Sequence, residues 1–260
     1  MHNLNFPPEI QCRLRSYDWH KDSMGRSASD IFMLTQNGDL KLVLKVEQDG
    51  PFAELSDEAK RLEWLTERGV LCPEVQWFEQ YEGRQWLLLT ALSGTDLVSD
   101  PELLPLQQVE ILADALRHLH TLDWEGCPYD QTVELGLREA EARMKAGLVN
   151  EDDFDPEWQG EPAQKLFSFL TANIPEVHEK VLCHGDACLP NFMATAGDFS
   201  GYLDCSRVGL ADRYQDLALA VRSIRYNHDD AAVEHFLKCY GIEQFDKKRA
   251  TFFTTLDEFF

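Results

Sequence analysis

His184-Gly185-Asp186-Ala187-Cys188-Leu189-Pro190-Asn191, followed by Asp204, sets an acid, an amide and a second acid in one short span. The preceding residues, Lys180-Val181-Leu182-Cys183, read as a strand, which puts Asp186 on the loop that leaves it. A carboxylate in that position can accept the proton of an attacking hydroxyl. Asn191 can turn an amide oxygen onto a hard cation. Asp204 ends a second apolar run, Ser200-Gly201-Tyr202-Leu203, and suits the same metal. Mg²⁺ takes oxygen ligands and normally one or two protein carboxylates, with phosphates and water supplying the rest. This is the order of groups that kinase-type phosphoryl transfer needs, a chemistry in which the protein mainly positions a hydroxyl and stabilises charge on ATP.

Composition narrows the class. The chain has 260 residues, 44% of them hydrophobic, which is enough for one large domain or two lobes. No apolar stretch approaches the ~20 residues of a membrane span. The start, Met1-His2-Asn3-Leu4-Asn5, lacks the basic and apolar regions of a signal peptide. Seven cysteines (12, 72, 127, 183, 188, 205 and 239) are scattered without C-x-x-C spacing, so neither a disulfide framework nor a zinc motif is expected, and a reducing cytoplasm is the natural compartment. Cys188 and Cys205 flank the motif and read as packing residues. The formal net charge is −22, from 24 basic against 46 acidic residues. A phosphate backbone needs a basic face, so nucleic acid is excluded as a partner, whereas a cationic small molecule is favoured.

Residues 1–92 read as strands around one helix. Ser29–Leu34 and Leu40–Val46 are short apolar runs joined by Gln36-Asn37-Gly38-Asp39, a hairpin signal. A helix begins at Ser56-Asp57 and runs through Leu65, and Gln85–Thr90 is a buried strand. Ser93-Gly94-Thr95-Asp96 reads as a link. Helical periodicity then recurs over Leu106–Leu122, Val133–Ala146, Pro162–Ala172 and Tyr214–Tyr226. The expected fold class is α+β: a bilobal, protein-kinase-like fold with a small β-rich N-terminal lobe (1–92) and a larger helical lobe (93–260). Lys45, on a strand, can pair with the α- and β-phosphates, and Glu58, on the next helix, can hold it, as a strand lysine and helix glutamate do in kinases. Ser23–Ser29 precedes the first hairpin, where backbone N–H groups can cradle phosphate.

Beyond the motif, the chain resembles the aminoglycoside 3′-phosphotransferases, the kanamycin and neomycin kinases. The resemblance rests on His184–Asn191, on the run Tyr202–Ala218, and on the terminal Leu256-Asp257-Glu258-Phe259-Phe260. Trp64-Leu65, Leu119–Asp123 and Gly147–Val149 add to it in the same order. It implies Asp186 as catalytic base, Asn191 and Asp204 as Mg²⁺ ligands, and Lys45 with Glu58 as the phosphate pair. It also implies that the N-terminal lobe binds ATP through Ser27 on the phosphate-covering loop and through the backbone of Ala91 and Leu92 against adenine. Val43 stands where some relatives stack an aromatic residue. Asp216 is implied as a brace of the catalytic loop.

An aminoglycoside is a polycation, and its ammonium groups call for hydrogen-bonded carboxylates. Glu151–Glu157 holds five acids in seven residues, and the resemblance makes it the loop over the antibiotic, with Asp155 and Glu157 as ligands. Pro156 stands where some relatives have a second acid. Asp257, Glu258 and the carboxylate of Phe260 match C-terminal substrate contacts. Arg207 and Arg222 match positions that orient carboxylates, whereas Ser223 replaces a relative's acid and has no implied role. The implied protein is a bacterial, cytoplasmic monomer or weak dimer with an aminoglycoside substrate and no membrane partner. Two other readings remain open from sequence: a kinase of another cationic metabolite, such as choline or a glycated amine, and a non-catalytic pseudokinase-like binder.

Overall fold

The computed structural model describes residues 5–22, 29–176 and 180–260. The chain divides into two compact units, Met1–Ser93 with Ser200–Ser206, and Gly94–Phe199 with Arg207–Phe260. A single boundary at 92/93 therefore omits the return of residues 200–206 to the first unit.

The first unit contains α1 (Pro8–Arg13), β1 (Asp18–Lys21), β2 (Asp30–Gln36), β3 (Asp39–Gln48), α2 (Leu55–Thr66), β4 (Val75–Tyr81) and β5 (Arg84–Thr90). Its antiparallel sheet has the order β1-β2-β3-β5-β4. The hairpin signal is realised at Asn37 (φ 55°) and Gly38 (φ 86°), where two consecutive left-handed residues match the twist of β2 and β3. Alternation sorts the sheet's two faces. Phe32, Leu34, Leu44, Val46, Trp86 and Leu88 pack with Ile10 and Leu14 of α1 and the turn after it. Lys45, between Leu44 and Val46, points to the other face and reaches α2. The start of α2 is fixed by the buried Glu47 carboxylate, which accepts from the backbone N–H groups of Glu54 (2.7 Å) and Leu55 (2.6 Å).

The second unit contains β6 (Thr95–Asp96), α3 (Pro105–Thr121), α4 (Val133–Lys145), α5 (Ala163–Ala172), β7 (Lys180–Cys183), β8 (Phe192–Thr195), β9 (Asp198–Tyr202, whose last three residues enter the first unit), β10 (Gly209–Asp212), α6 (Tyr214–Asn227), α7 (Asp230–Tyr240) and α8 (Lys247–Asp257). The anticipated helices agree with α2 to α6 within two residues at their ends. The supposed link at Thr95-Asp96 is a short strand paired with Ala194 and Met193. Gly94 before it is required: at φ 99°, a Cβ would lie 1.9 Å from the Ala194 carbonyl oxygen. β7 and β10 form a two-stranded antiparallel ribbon, with the His184–Asn191 motif at one end of β7. Among the described residues, no helix is long and apolar enough to cross a membrane.

Candidate active site

Ser27 and most of the 23–29 loop lie outside the described residues. Elsewhere in the first unit, the Lys45 ammonium donates to Glu58 at 2.7 and 3.0 Å and also pairs with Asp204. Burial alone would lower the Lys45 pKa, but the carboxylates of Asp204 and Glu58 outweigh it and hold the pKa raised, so the group stays cationic. Asp204 reaches the lysine because its segment is stitched to the first unit. Ser200 Oγ donates to the Ser93 carbonyl (2.8 Å), Tyr202 N to the Leu71 carbonyl (2.9 Å), and Ser206 Oγ to Glu54 (3.0 Å). Asp204 is non-glycine at φ 50°, a sparsely populated conformation that costs roughly 1–3 kcal/mol and is retained where surrounding contacts impose it. Ala91 spends its N–H on the Lys41 carbonyl (3.0 Å).

In the second unit, the His184–Asn191 loop is held from below by Asp216 on α6. Its carboxylate is fully buried and accepts from His184 N (2.7 Å), Gly185 N (2.8 Å) and His120 Nε2 of α3 (2.9 Å). Burial works against its ionisation, yet His120 and these N–H donors keep its pKa below the usual value. His120 Nδ1 in turn meets Tyr240 Oη of α7 at 2.7 Å. Gly185, at φ 88°, lets the loop pass against Arg207, whose carbonyl oxygen would lie 2.3 Å from a Cβ. Ser223 Oγ accepts from Leu189 N (3.0 Å), so the residue without an implied role also fixes this loop.

Asp186 sits on that framework, partly buried, with both carboxylate oxygens engaged. Oδ2 accepts from Asn191 Nδ2 (2.8 Å), and Oδ1 accepts from the Cys188 thiol (2.7 Å). Asn191 Nδ2 also donates to the Asp186 carbonyl at 3.0 Å, so its amide nitrogen is committed and its amide oxygen remains for a cation. The Asn191 amide oxygen here, and separately the Asp204 carboxylate of the first unit, are hard donors of the kind Mg²⁺ takes. Cys188, read from sequence as packing, thus contacts the proposed base. Its thiol pKa is raised, first by burial and then by Asp186, with Asp257 acting in the same direction.

The same unit gathers most of the expected substrate residues. Asp257, at the end of α8, bonds Arg207 Nη1 at 2.7 Å and pairs with Arg222. Arg222 Nη1 also meets Asp155 Oδ2 (3.4 Å) and Glu258 Oε1 (3.7 Å). Burial opposes Asp257 ionisation, but the two guanidiniums hold its pKa lowered. Arg207 lies 4.7 Å over the Phe260 ring, and Arg143 Nε donates to the Phe259 carbonyl (2.8 Å), so the chain terminus is anchored. Glu157 is not brought into this cluster: it is exposed, while the neighbouring Trp158 turns inward and donates to Thr255 Oγ1 at 3.1 Å.

Glu258 is the unusual member. Burial, reinforced by Asp155, pushes its pKa from 4.5 up to about 8. A raised carboxyl contributes stability in full below its unfolded pKa and loses it as pH rises through the folded value. Glu258→Gln should therefore be more thermostable than wild type at pH 9 and no more stable at pH 4.5. Melting temperatures across that range provide the test, and a constant difference between the two proteins would contradict the raised carboxyl.

Residues 18–253 match a family model described as a phosphotransferase enzyme family. An aminoglycoside 3′-phosphotransferase from Streptomyces fradiae is 33% identical over 257 residues, covering 94% of this chain and 96% of that protein. The crystal structure of an aminoglycoside 3′-phosphotransferase of type VIII superposes with a TM-score of 0.88 at 30% identity, covering 97% of each chain. An aminoglycoside phosphotransferase from Streptomyces rimosus, solved with ADP and streptomycin, has a TM-score of 0.83 at 27% identity and covers 96% of this chain and 95% of that one.

Proposed function

We propose a function from one premise: this chain belongs to the phosphotransferase enzyme family. It transfers the γ-phosphoryl group of ATP to the 3′-hydroxyl of kanamycin- and neomycin-type aminoglycosides, and so confers resistance to them. The observation that carries this reading is the presence, within the second unit, of a pinned acid, Asp186, and an arginine-ordered carboxylate pair, Asp155 and Asp257, with the Glu258 carboxyl beside them. A neutral acceptor has no use for such a cluster, whereas ammonium groups are held well by carboxylates that are already oriented.

In this reading Asp186 takes the acceptor hydroxyl proton as that oxygen forms its bond to the γ-phosphorus. The bond from the γ-phosphorus to the bridging oxygen breaks, and ADP departs with the electron pair. Asn191 holds Asp186 by its amide nitrogen, and its amide oxygen, like the Asp204 carboxylate, would serve as a Mg²⁺ ligand. The ion, when bound, neutralises charge on the phosphates. Lys45, kept cationic by Glu58, serves the α- and β-phosphates. The family resemblance assigns Ser27, outside the described residues, to the phosphate-covering loop and the backbone of Ala91 and Leu92 to adenine. Glu157 serves the acceptor from the rim of the acidic loop. The product carries new negative charge on a drug whose hold on ribosomal RNA depends on being cationic.

An ADP-release assay with kanamycin, neomycin, streptomycin and choline tests the acceptor class. Turnover is expected with the first two, and turnover with choline alone would overturn the assignment. Removing Phe260 should raise the acceptor KM about tenfold while leaving the ATP KM unchanged, on the order of one lost cation-site contact. A rise in the ATP KM instead would displace the terminus from the acceptor site.

A further inference from the structure

Glu110 of α3 and His235 and Cys239 of α7 converge on the surface of the second unit, away from the residues assigned to phosphoryl transfer. Their ligand atoms all lie within 4.8 Å of one another. His235 Nε2 is the shared vertex, 2.6 Å from Glu110 Oε1 and 3.6 Å from Cys239 Sγ. His235 and Cys239 are four residues apart on one helix, so both side chains face α3. Because Nε2 can carry only one proton, it cannot donate to the carboxylate and also accept from the thiol. A cation in place of that proton satisfies all three groups at once.

We propose that these three residues form a transition-metal site, suited best to Zn²⁺. The donor set of one imidazole nitrogen, one thiolate and one carboxylate oxygen is that of zinc rather than Mg²⁺. Tetrahedral zinc with Zn–S of about 2.3 Å and Zn–N of about 2.0 Å separates the sulfur and nitrogen by about 3.5 Å, close to the spacing present. The carboxylate must withdraw from the imidazole by about 0.8 Å, within the reach of an exposed glutamate side chain. Asp114, tied to Arg117 at 2.7 Å, adds a second carboxylate near Cys239. Three protein ligands leave the fourth position to water. The metal cross-links α3 to α7, the two helices that bring His120 and Tyr240 together beneath Asp216. It thereby stiffens the support of the catalytic loop without touching the reacting atoms. The Cys239 thiol must lose its proton on binding, so affinity rises with pH.

The test uses the full-length, reduced, metal-free protein and its Glu110→Gln, His235→Ala and Cys239→Ser variants. Co²⁺ titration of the wild type should saturate at one equivalent with a thiolate charge-transfer band, which Cys239→Ser abolishes. Zn²⁺ at a hundredfold excess over its Kd should raise the wild-type melting temperature by about 5 °C, with at least a tenfold weaker affinity in His235→Ala. Absence of the band, its survival in Cys239→Ser, or an equal Zn²⁺ shift in all four proteins would overturn the site.

Discussion

Asp186→Ala should lower kcat with an aminoglycoside roughly 10²–10⁴-fold, the usual consequence of removing a positioned general base. Binding of both substrates should change far less, because the proposal sets Asp186 at the reacting hydroxyl and not among the groups that hold ammonium. The substitution also removes the carboxylate oxygens that accept from Asn191 Nδ2 and the Cys188 thiol at 2.8 and 2.7 Å. Part of the loss therefore passes through Asn191, whose amide then keeps only its bond to the backbone carbonyl of residue 186. Asp186→Asn separates the two effects: it retains one acceptor oxygen in a side chain of the same shape but cannot take a proton. Comparable kcat values for the two variants assign the loss to proton transfer. A much milder Asp186→Asn assigns it to orientation, and near-normal turnover in both would remove Asp186 from the base role.

The second large effect falls on stability. Asp216→Ala leaves two buried backbone N–H groups and the His120 imidazole without their acceptor, beneath a loop whose Leu189 N–H is still held by Ser223. Leaving these buried donors unsatisfied, at roughly 1–3 kcal/mol each, costs about 3–5 kcal/mol, a large share of the roughly 5–15 kcal/mol that stabilises a typical domain. At about 2–4 °C per kcal/mol for a protein of this size, the melting temperature should fall by roughly 10 °C. Asp216→Asn keeps one acceptor and should lose about half as much. The wild-type contribution carries a pH signature. The Asp216 pKa is lowered in the folded state, so its stabilisation is present above 3.8 and disappears as pH falls through the folded value. The stability gap between wild type and Asp216→Ala should therefore close in acid and persist at neutral pH, which parallel thermal melts at pH 3 and pH 7 will show.

What the sequence revealed, and what it did not, follows the range of the interactions. The β2–β3 hairpin was legible because Asn37-Gly38 dictates its own turn, and α3 was legible because its apolar spacing is regular. α7 carries local signals at both ends, an Asp229 N-cap and Gly241 in the left-handed conformation at its close, which went unread because its apolar face is brief. α8 has a weakly amphipathic sequence and owes its place to packing. β1, with its polar Asp-Trp-His-Lys, is a strand only because β2 pairs with it. Residues 200–206 turn back to the first unit through contacts with Leu71, Ser93 and Glu54, partners more than a hundred positions away that no local pattern encodes.

The site divides in the same way. Asp186 and Asn191 lie within one loop, and their spacing alone announced the pair. Asp155, Arg222 and Asp257 meet only through the tertiary fold, and the family resemblance, not spacing, pointed to them. Glu157 is exposed beside Pro156 and the inward-turned Trp158, a placement that the five acids of the loop do not announce. Cys188 and Ser223 each contact the catalytic loop, yet a cysteine and a serine offered no distinguishing signal in the sequence.

Regiochemistry bears most directly on the central claim. Purified protein with Mg²⁺–ATP should release ADP with kanamycin and fail to do so with an otherwise matched aminoglycoside lacking the 3′-hydroxyl, and phosphorus NMR of the kanamycin product should place the phosphate on the 3′-oxygen. Equal turnover of the two drugs, or a phosphate at another position, would contradict the assignment.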